Sequence, residues 1–200
     1  MTAPWQPLLD WWFGSADSPN EVAAQKGGLW FGKRDSQDLE ARTRFGDLVE
    51  QALAGGLPEW TQRPEGWLAL VLLLDQLPRM IFRENPKSYA GDLRAQKLVA
   101  QGIAADFDRQ LRPIQRVFIY LVFEHCEHLA VQNEAVSRFA QLLAEQPEAE
   151  RAVFADNLDY AERHQTIIAR FGRFPHRNAV LGRESTAEEL VFLSKPGSSF

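Results

Sequence analysis

The sequence predicts one all-α domain over residues 1–200, with about seven or eight helices. Three observations predict it. Apolar residues recur at three-to-four spacing along almost the whole chain. Most prolines and glycines stand where such stretches begin and end. No stretch alternates with period two, and no hairpin signal or domain-boundary linker interrupts the pattern.

In chain order, Pro7 to Phe13 reads as a short aromatic helix stopped at Gly14, with Trp11-Trp12-Phe13 giving core plus one exposed ring. Residues 15–33 read as loop because Pro19, Gly27, Gly28 and Gly32 punctuate them. Asp38 can cap a helix carrying Phe45, Leu48, Val49, Ala52 and Leu53, ended by Gly55-Gly56. Pro64 suits an early position in the next helix, through GWLALVLLLDQL. That segment is apolar nearly all round, which marks a central helix. Pro78 lacks an N–H, so this helix is expected to kink or end there. A helix around Leu93, Leu98, Val99 and Ile103 follows. Pro113 opens another, read through to Gln132. Residues 133–145 form one more, and Glu148 to Phe171 a long one stopped at Gly172. STAE, residues 185–188, reads as a capping box for a last short helix. The tail, residues 195–200, is expected to fray.

Composition narrows the function. A formal charge of −5 and a pI of about 5.4 argue against a nucleic-acid or membrane partner, both of which want a basic face. The apolar run LALVLLLDQL stops at Asp75, well short of a bilayer span. The first residues lack a basic start and a long apolar stretch, so no signal peptide is expected. A single cysteine, Cys126, fits a reducing compartment. A cytoplasmic location is the expectation.

Helical angles then show something a surface pattern would not. Ile114, Val117, Phe118, Leu121 and Val122 form an apolar stripe, and the same angles continue into Glu124, His125, His128 and Gln132. Leu68 and Leu72 share a face with Asp75, Gln76, Arg79 and Arg83. His164 falls among Tyr160, Ala161, Ile168 and Phe171. One buried polar group without a partner costs about 1–3 kcal/mol, and a lone charge far more. These side chains are tolerable inside only if they meet.

The stretch RFGRFPHRNAVLGR, residues 170–183, adds four arginines and a histidine with no acid among them. The expectation is one interior polar pocket lined by three helices and covered by residues 173–183, with Arg177 and Arg183 facing inward or rimming it. Two extra positive charges remain when Asp75, Glu124 and Glu127 are set against Arg79, Arg83, Arg173, Arg177 and Arg183. Arginine forks suit phosphate and carboxylate, so a small anionic ligand is one reading. Its candidate residues are Asp75, Gln76, Arg79, Arg83, Glu124, His125, His164, Arg173, His176, Arg177, Asn178 and Arg183. The bland reading is that these arginines pair with the acids and staple the fold.

EHCEH offers Glu and His at helical spacing, yet only one such motif is present and arginines nearby repel a dication, so no metal and no cofactor is expected. His125, His164 and Glu124 are the candidates for acid–base chemistry, without an indicated nucleophile. Cys126 reads as a small buried apolar residue.

Together LALVLLLDQLPRMIFR, FEHCEHLAVQ and RHQTIIARFGRFPHRNAVLGRESTAEE resemble the bacterial domain-of-unknown-function family numbered 924, over nearly the whole chain. The resemblance implies a helical fold similar to tetratricopeptide-like arrays of antiparallel helix pairs, and hence a peptide or protein partner as a second functional reading. It implies no activity. The family pattern carries over at the candidate residues named above and at Asp92, Glu127, Gln132 and Arg170. Val122-Phe123 and Cys126 depart from it, where the family usually has Pro-Leu and Ser.

Overall fold

A computed structural model describes residues 2–198. Among them are nine α-helices and no strand: α1 (Gln6–Phe13), α2 (Pro19–Trp30), α3 (Asp35–Leu53), α4 (Pro64–Ile81), α5 (Asp92–Ala104), α6 (Pro113–Glu124), α7 (Leu129–Ala144), α8 (Arg151–Phe171) and α9 (Ala187–Leu193). Neighbours in sequence pack on one another, α3 on α4, α4 on α5, α6 on α7 and α7 on α8. That is how an array of helix pairs buries its apolar faces. The two central helices are α4 and α6. From Gly66 to Pro78 every residue of α4 is buried, and so is every residue of α6 from Ile114 to Glu124. No described helix is long and apolar enough to cross a membrane.

Four local expectations are corrected. Residues 19–30 form a helix, α2, where a loop was expected. Pro19 starts it at the position where a missing N–H costs nothing. Buried Val22 and Leu29, seven apart on one face, hold it down despite Gly27 and Gly28. Its side chains also satisfy the C-terminal carbonyls of α1, through Lys26 Nζ to Trp11 O (2.9 Å) and Trp30 Nε1 to Trp12 O (2.9 Å). Covered this way, Trp11, Trp12 and Phe13 are all buried, and no ring of the three is exposed. Trp12, Phe13 and Trp30 pack around Phe118 with centroids 4.9–5.4 Å apart.

Second, of the kink or end expected at Pro78, the end does not occur, since α4 runs three residues further to Ile81. Its cost is a carbonyl, Leu74 O, that receives no N–H from position 78. Gly91 lies against that carbonyl. Third, the helix opened by Pro113 stops at Glu124 instead of running to Gln132. The chain turns through residues 125–128 and restarts as α7, with exposed His128 as its N-cap residue. Gln132 belongs to α7 and reaches back, donating to Glu124 O (2.6 Å) and Cys126 O (2.7 Å), two carbonyls left at the end of α6.

Fourth, the capping box of α9 lies one residue later than expected. Thr186 Oγ1 accepts from Glu189 N (3.2 Å), and Glu189 Oε2 accepts from Thr186 N (2.8 Å). Glu189 is chosen because Arg173 and Asn178 also need it. A small second core of Ile167, Ile168 and Phe174, with Phe171 and Phe192, fixes this C-terminal segment to α8. Ser198, in the tail, is buried and donates to Leu193 O. The rest of the tail expectation, residues 199 and 200, lies outside the described residues.

Candidate functional site

The polar ends of α4 and α6 meet where α5 begins and where residues 175–177 make a single 3-10 turn. Local chemistry explains the meeting. Gly91 approaches the freed Leu74 carbonyl closely, and this sets Asp92, the first residue of α5, against Arg79. The Arg79 guanidinium forks onto both oxygens of Asp92 (3.0 Å each) and also donates to Asp75 O (2.7 Å) and Asp75 Oδ1 (3.1 Å). The Asp75–Arg79 pair is the one its spacing predicts.

Asp75 is fully buried and every contact of its carboxylate is cationic or donates a proton. Gln76 Nε2 donates to Oδ2 (2.6 Å), and His125 Nδ1 lies 2.8 and 3.0 Å from the two oxygens. Burial alone would raise its pKa, but Arg79 and His125 outweigh burial and hold the carboxyl below the usual range. An ionised Asp75 accepts only, so His125 carries its proton on Nδ1. Burial keeps the His125 ring neutral by lowering its pKa, against the pull of Asp75.

Deeper in, His164 Nδ1 donates to Tyr160 O (2.8 Å) and lies 3.1 Å from Glu124 Oε1. Burial lowers His164 to about 3 and raises Glu124 well above the usual carboxyl range, with the Asp75 charge adding to the latter. His164 is therefore uncharged at neutral pH, and burial biases Glu124 toward its protonated form. Glu124 Oε2 is buried with no hydrogen-bond partner.

Arg177 closes the cluster. Only 5% exposed, its guanidinium stacks between the rings of Phe174 (4.4 Å) and Tyr89 (4.8 Å) and donates to His125 O (3.1 Å). Its nearest carboxylate, Asp92, is 3.7 Å away and already taken by the Arg79 fork. Its Nε is buried without a partner. Burial lowers its pKa to about 10, with Arg79 adding repulsion. The cluster reaches solvent along one side, where the side chains of Arg79, His125 and Asp92 are 19%, 15% and 14% exposed.

The structure thus brings together Asp75, Gln76, Arg79, Glu124, His125, His164 and Arg177. It does not bring in Arg83, which is exposed and forks onto Asp38 (2.7 Å each) across α3. It puts Arg173 and Asn178 in a separate group, on Glu189. Arg183 clasps Glu127 (2.6 and 2.9 Å) at the rim, and the same carboxylate accepts from Phe174 N (2.7 Å). His176 stands on that rim beside Phe174, its pKa lowered to about 4 by burial and by Arg177. The expected surplus of two positive charges does not survive. Arg173 is matched by Glu189, and Asp92 enters the inner cluster, so Asp75 and Asp92 balance Arg79 and Arg177.

Two cavities of about 400 and 480 Å³ lie elsewhere, one walled by Trp11, Lys26, Leu29, Arg34 and Gln37, the other by Leu143, Ala144, Arg151 and Leu158. Neither is lined by a residue of the cluster. No group of three or more metal-ligating side chains occurs among the described residues. Tyr89 and Phe174, the rings that hold Arg177, were not legible as site residues. Asp92 was marked only by the family pattern, since nothing in its spacing says that it faces Arg79.

Glu127 makes a local test of the rim. Glu127→Ala strips the acceptor from Arg183 and from a buried N–H, and is expected to cost about 1–3 kcal/mol in urea unfolding. Glu127→Gln, which keeps one oxygen for Phe174 N, should cost less.

A family model described as a bacterial protein of unknown function, DUF924, matches residues 8–197. A solved structure of a protein of unknown function from Agrobacterium tumefaciens is 34% identical, covers 95% of this chain and 96% of its own, and superposes with a TM-score of 0.79. A search of curated proteins gave no match.

Proposed function

This chain belongs to the bacterial family of unknown function DUF924, and we propose that its polar cluster binds a small anionic ligand through Arg177. The supporting observation is the state of that side chain. Arg177 is buried, its Nε has no partner, and no carboxylate lies within hydrogen-bond distance. A cation so placed loses its hydration without a short ion pair to replace it. Because the inner acids and bases already balance with Arg177 counted, a singly charged anion suits the site better than a multiply charged one. A carboxylate or a singly charged phosphate ester would take the Arg177 fork, entering past Arg79 and His125.

Thermal unfolding with acetate, pyruvate, succinate and inorganic phosphate tests this. A ligand at one hundred times its Kd stabilises by about 2.7 kcal/mol, a rise of roughly 5–10 °C for a domain of this size. Arg177→Met keeps the aliphatic stem between Tyr89 and Phe174 and removes the charge. It should abolish the rise while leaving the unliganded protein within about 1 kcal/mol of wild type. If no anion raises the melting temperature and Arg177→Met instead costs about 3–5 kcal/mol, the cluster is a structural staple. A peptide ending in an acidic residue belongs in the panel. Its binding without any response to the small anions would favour the partner reading.

A further inference from the structure

We infer that the cavity between α2 and α3 is a second binding site, separate from the cluster around Arg177, and that it takes a small phosphorylated sugar or polyol. The cavity holds about 400 Å³, within the range of pockets that bind small molecules. Its wall is mainly polar, and α2 and the start of α3 each bring a cation to it, Lys26 and Arg34.

Lys26 is held in place. Its stem packs on Gly14, where a side-chain carbon would come within 2.9 Å of Lys26 Cε, and its ammonium donates to Trp11 O (2.9 Å). An ammonium has three protons to give, so two remain for a ligand. Arg34, the residue before α3, has no ion pair or hydrogen bond to its guanidinium among the described residues. Its Nη2 lies 3.9 Å from the point where a side chain on Gly28 would begin, so the guanidinium reaches back over α2 at the cavity wall. The acid on that wall, Glu40, is already engaged by Arg44 (2.9 Å). Two cations therefore face the cavity without a carboxylate to match them.

A phosphate monoester answers this pair. Its three terminal oxygens can meet an ammonium and a guanidinium arriving from different helices, where a carboxylate offers two oxygens in one plane. Gln37 supplies the rest of the specification. It lines the same cavity, and its Oε1 is buried and accepts from nothing. A buried acceptor in that state favours a ligand that brings a donor, and a hydroxyl near the phosphate is one. Trp11 adds apolar surface for the C–H groups of a sugar.

Isothermal titration with glucose 6-phosphate and glycerol 3-phosphate gives the test, with inorganic phosphate, glucose and gluconate as comparisons. The wild type should bind both phosphorylated compounds, and glucose and gluconate about tenfold more weakly or worse. Arg34→Gln changes an exposed side chain with no partner to lose, and should weaken glucose 6-phosphate about tenfold. Gln37→Leu should weaken it about fivefold and leave inorganic phosphate unchanged. Gly28→Leu separates binding from folding. It fills space at the cavity wall, removes no charge and puts a stronger helix former into α2, so the protein should melt no lower than wild type and yet lose glucose 6-phosphate. Arg177→Met should bind it as wild type does. Failure of the wild type to bind either phosphorylated compound overturns the inference, and so does gluconate binding as tightly as glucose 6-phosphate. Binding that survives both Arg34→Gln and Gly28→Leu, or that Arg177→Met abolishes, overturns it as well and moves the ligand to the inner cluster or elsewhere.

Discussion

Gly91→Ala is expected to destabilise the protein by about 3 kcal/mol or more. A methyl group at Gly91 would overlap Leu74 O, with its carbon 2.9 Å from the Leu74 carbonyl carbon and 3.0 Å from Leu74 Cα. Every one of those atoms is backbone in a helix buried on all sides, so none can swing aside. The helix would have to part from the start of α5, and Asp92 would leave Arg79. Gly27→Ala gives the contrast. That glycine lies inside α2 with open space where its methyl group would go, so the same change should stabilise by about 0.4–1 kcal/mol. Urea midpoints for the two variants should move in opposite directions. A Gly91→Ala protein as stable as wild type would mean that α4 and α5 do not pack as described.

The same contact shows what a sequence can and cannot yield. The helical periods of α4 and α6 were plain, and so was the argument that Asp75, Arg79, His125 and His164 must meet. Asp75 and Arg79 are one turn apart, and the others lie on stripes whose angle follows from residue number alone. What was not legible depends on long-range placement. Pro78 reads as a helix breaker because its local effect is unfavourable. It stays inside α4, and Gly91, thirteen residues later, lacks the side chain that would collide with the carbonyl it orphans. Gly27 and Gly28 read as loop for the same reason, and α2 forms because Val22 and Leu29 have a core to enter. Arg83 shares a face with Arg79 but sits one turn further along, past the end of α4, where Asp38 meets it at the surface. The break after Glu124 was hidden because Gln132, on the next helix, happens to continue the angular series.

Acid should unfold this protein through its histidines well before its carboxylates titrate. His164 has a folded pKa of about 3 and His176 about 4, and His125 is lowered as well, in each case by burial first. A histidine of depressed pKa takes up its proton in the unfolded chain near pH 6.5 while the folded one stays neutral. Its stabilisation is thus complete above about pH 6.5 and drains away as pH falls toward the folded value. For His164 alone, the fall from pH 6.5 to 4 removes about 3 kcal/mol, at up to about 1.4 kcal/mol per pH unit. Asp75, of depressed pKa, works in the same direction only below its unfolded value of 3.8. Glu124 opposes them. Its folded pKa is raised, so its stabilisation is present below about 4.5 and lost as pH rises through the folded value. Urea midpoints between pH 7 and 4 should therefore decline steeply from pH 6.5 downward. His164→Gln should start lower at pH 7, because it opens a packed site against Phe174 and Tyr160 O, yet decline less steeply. Glu124→Gln removes the opposing group and should steepen the decline while flattening the alkaline side. A wild-type curve level from pH 7 to 5, or a His164→Gln curve parallel to it, would show that the imidazole at this position is hydrated, and the enclosed cluster would lose its innermost member.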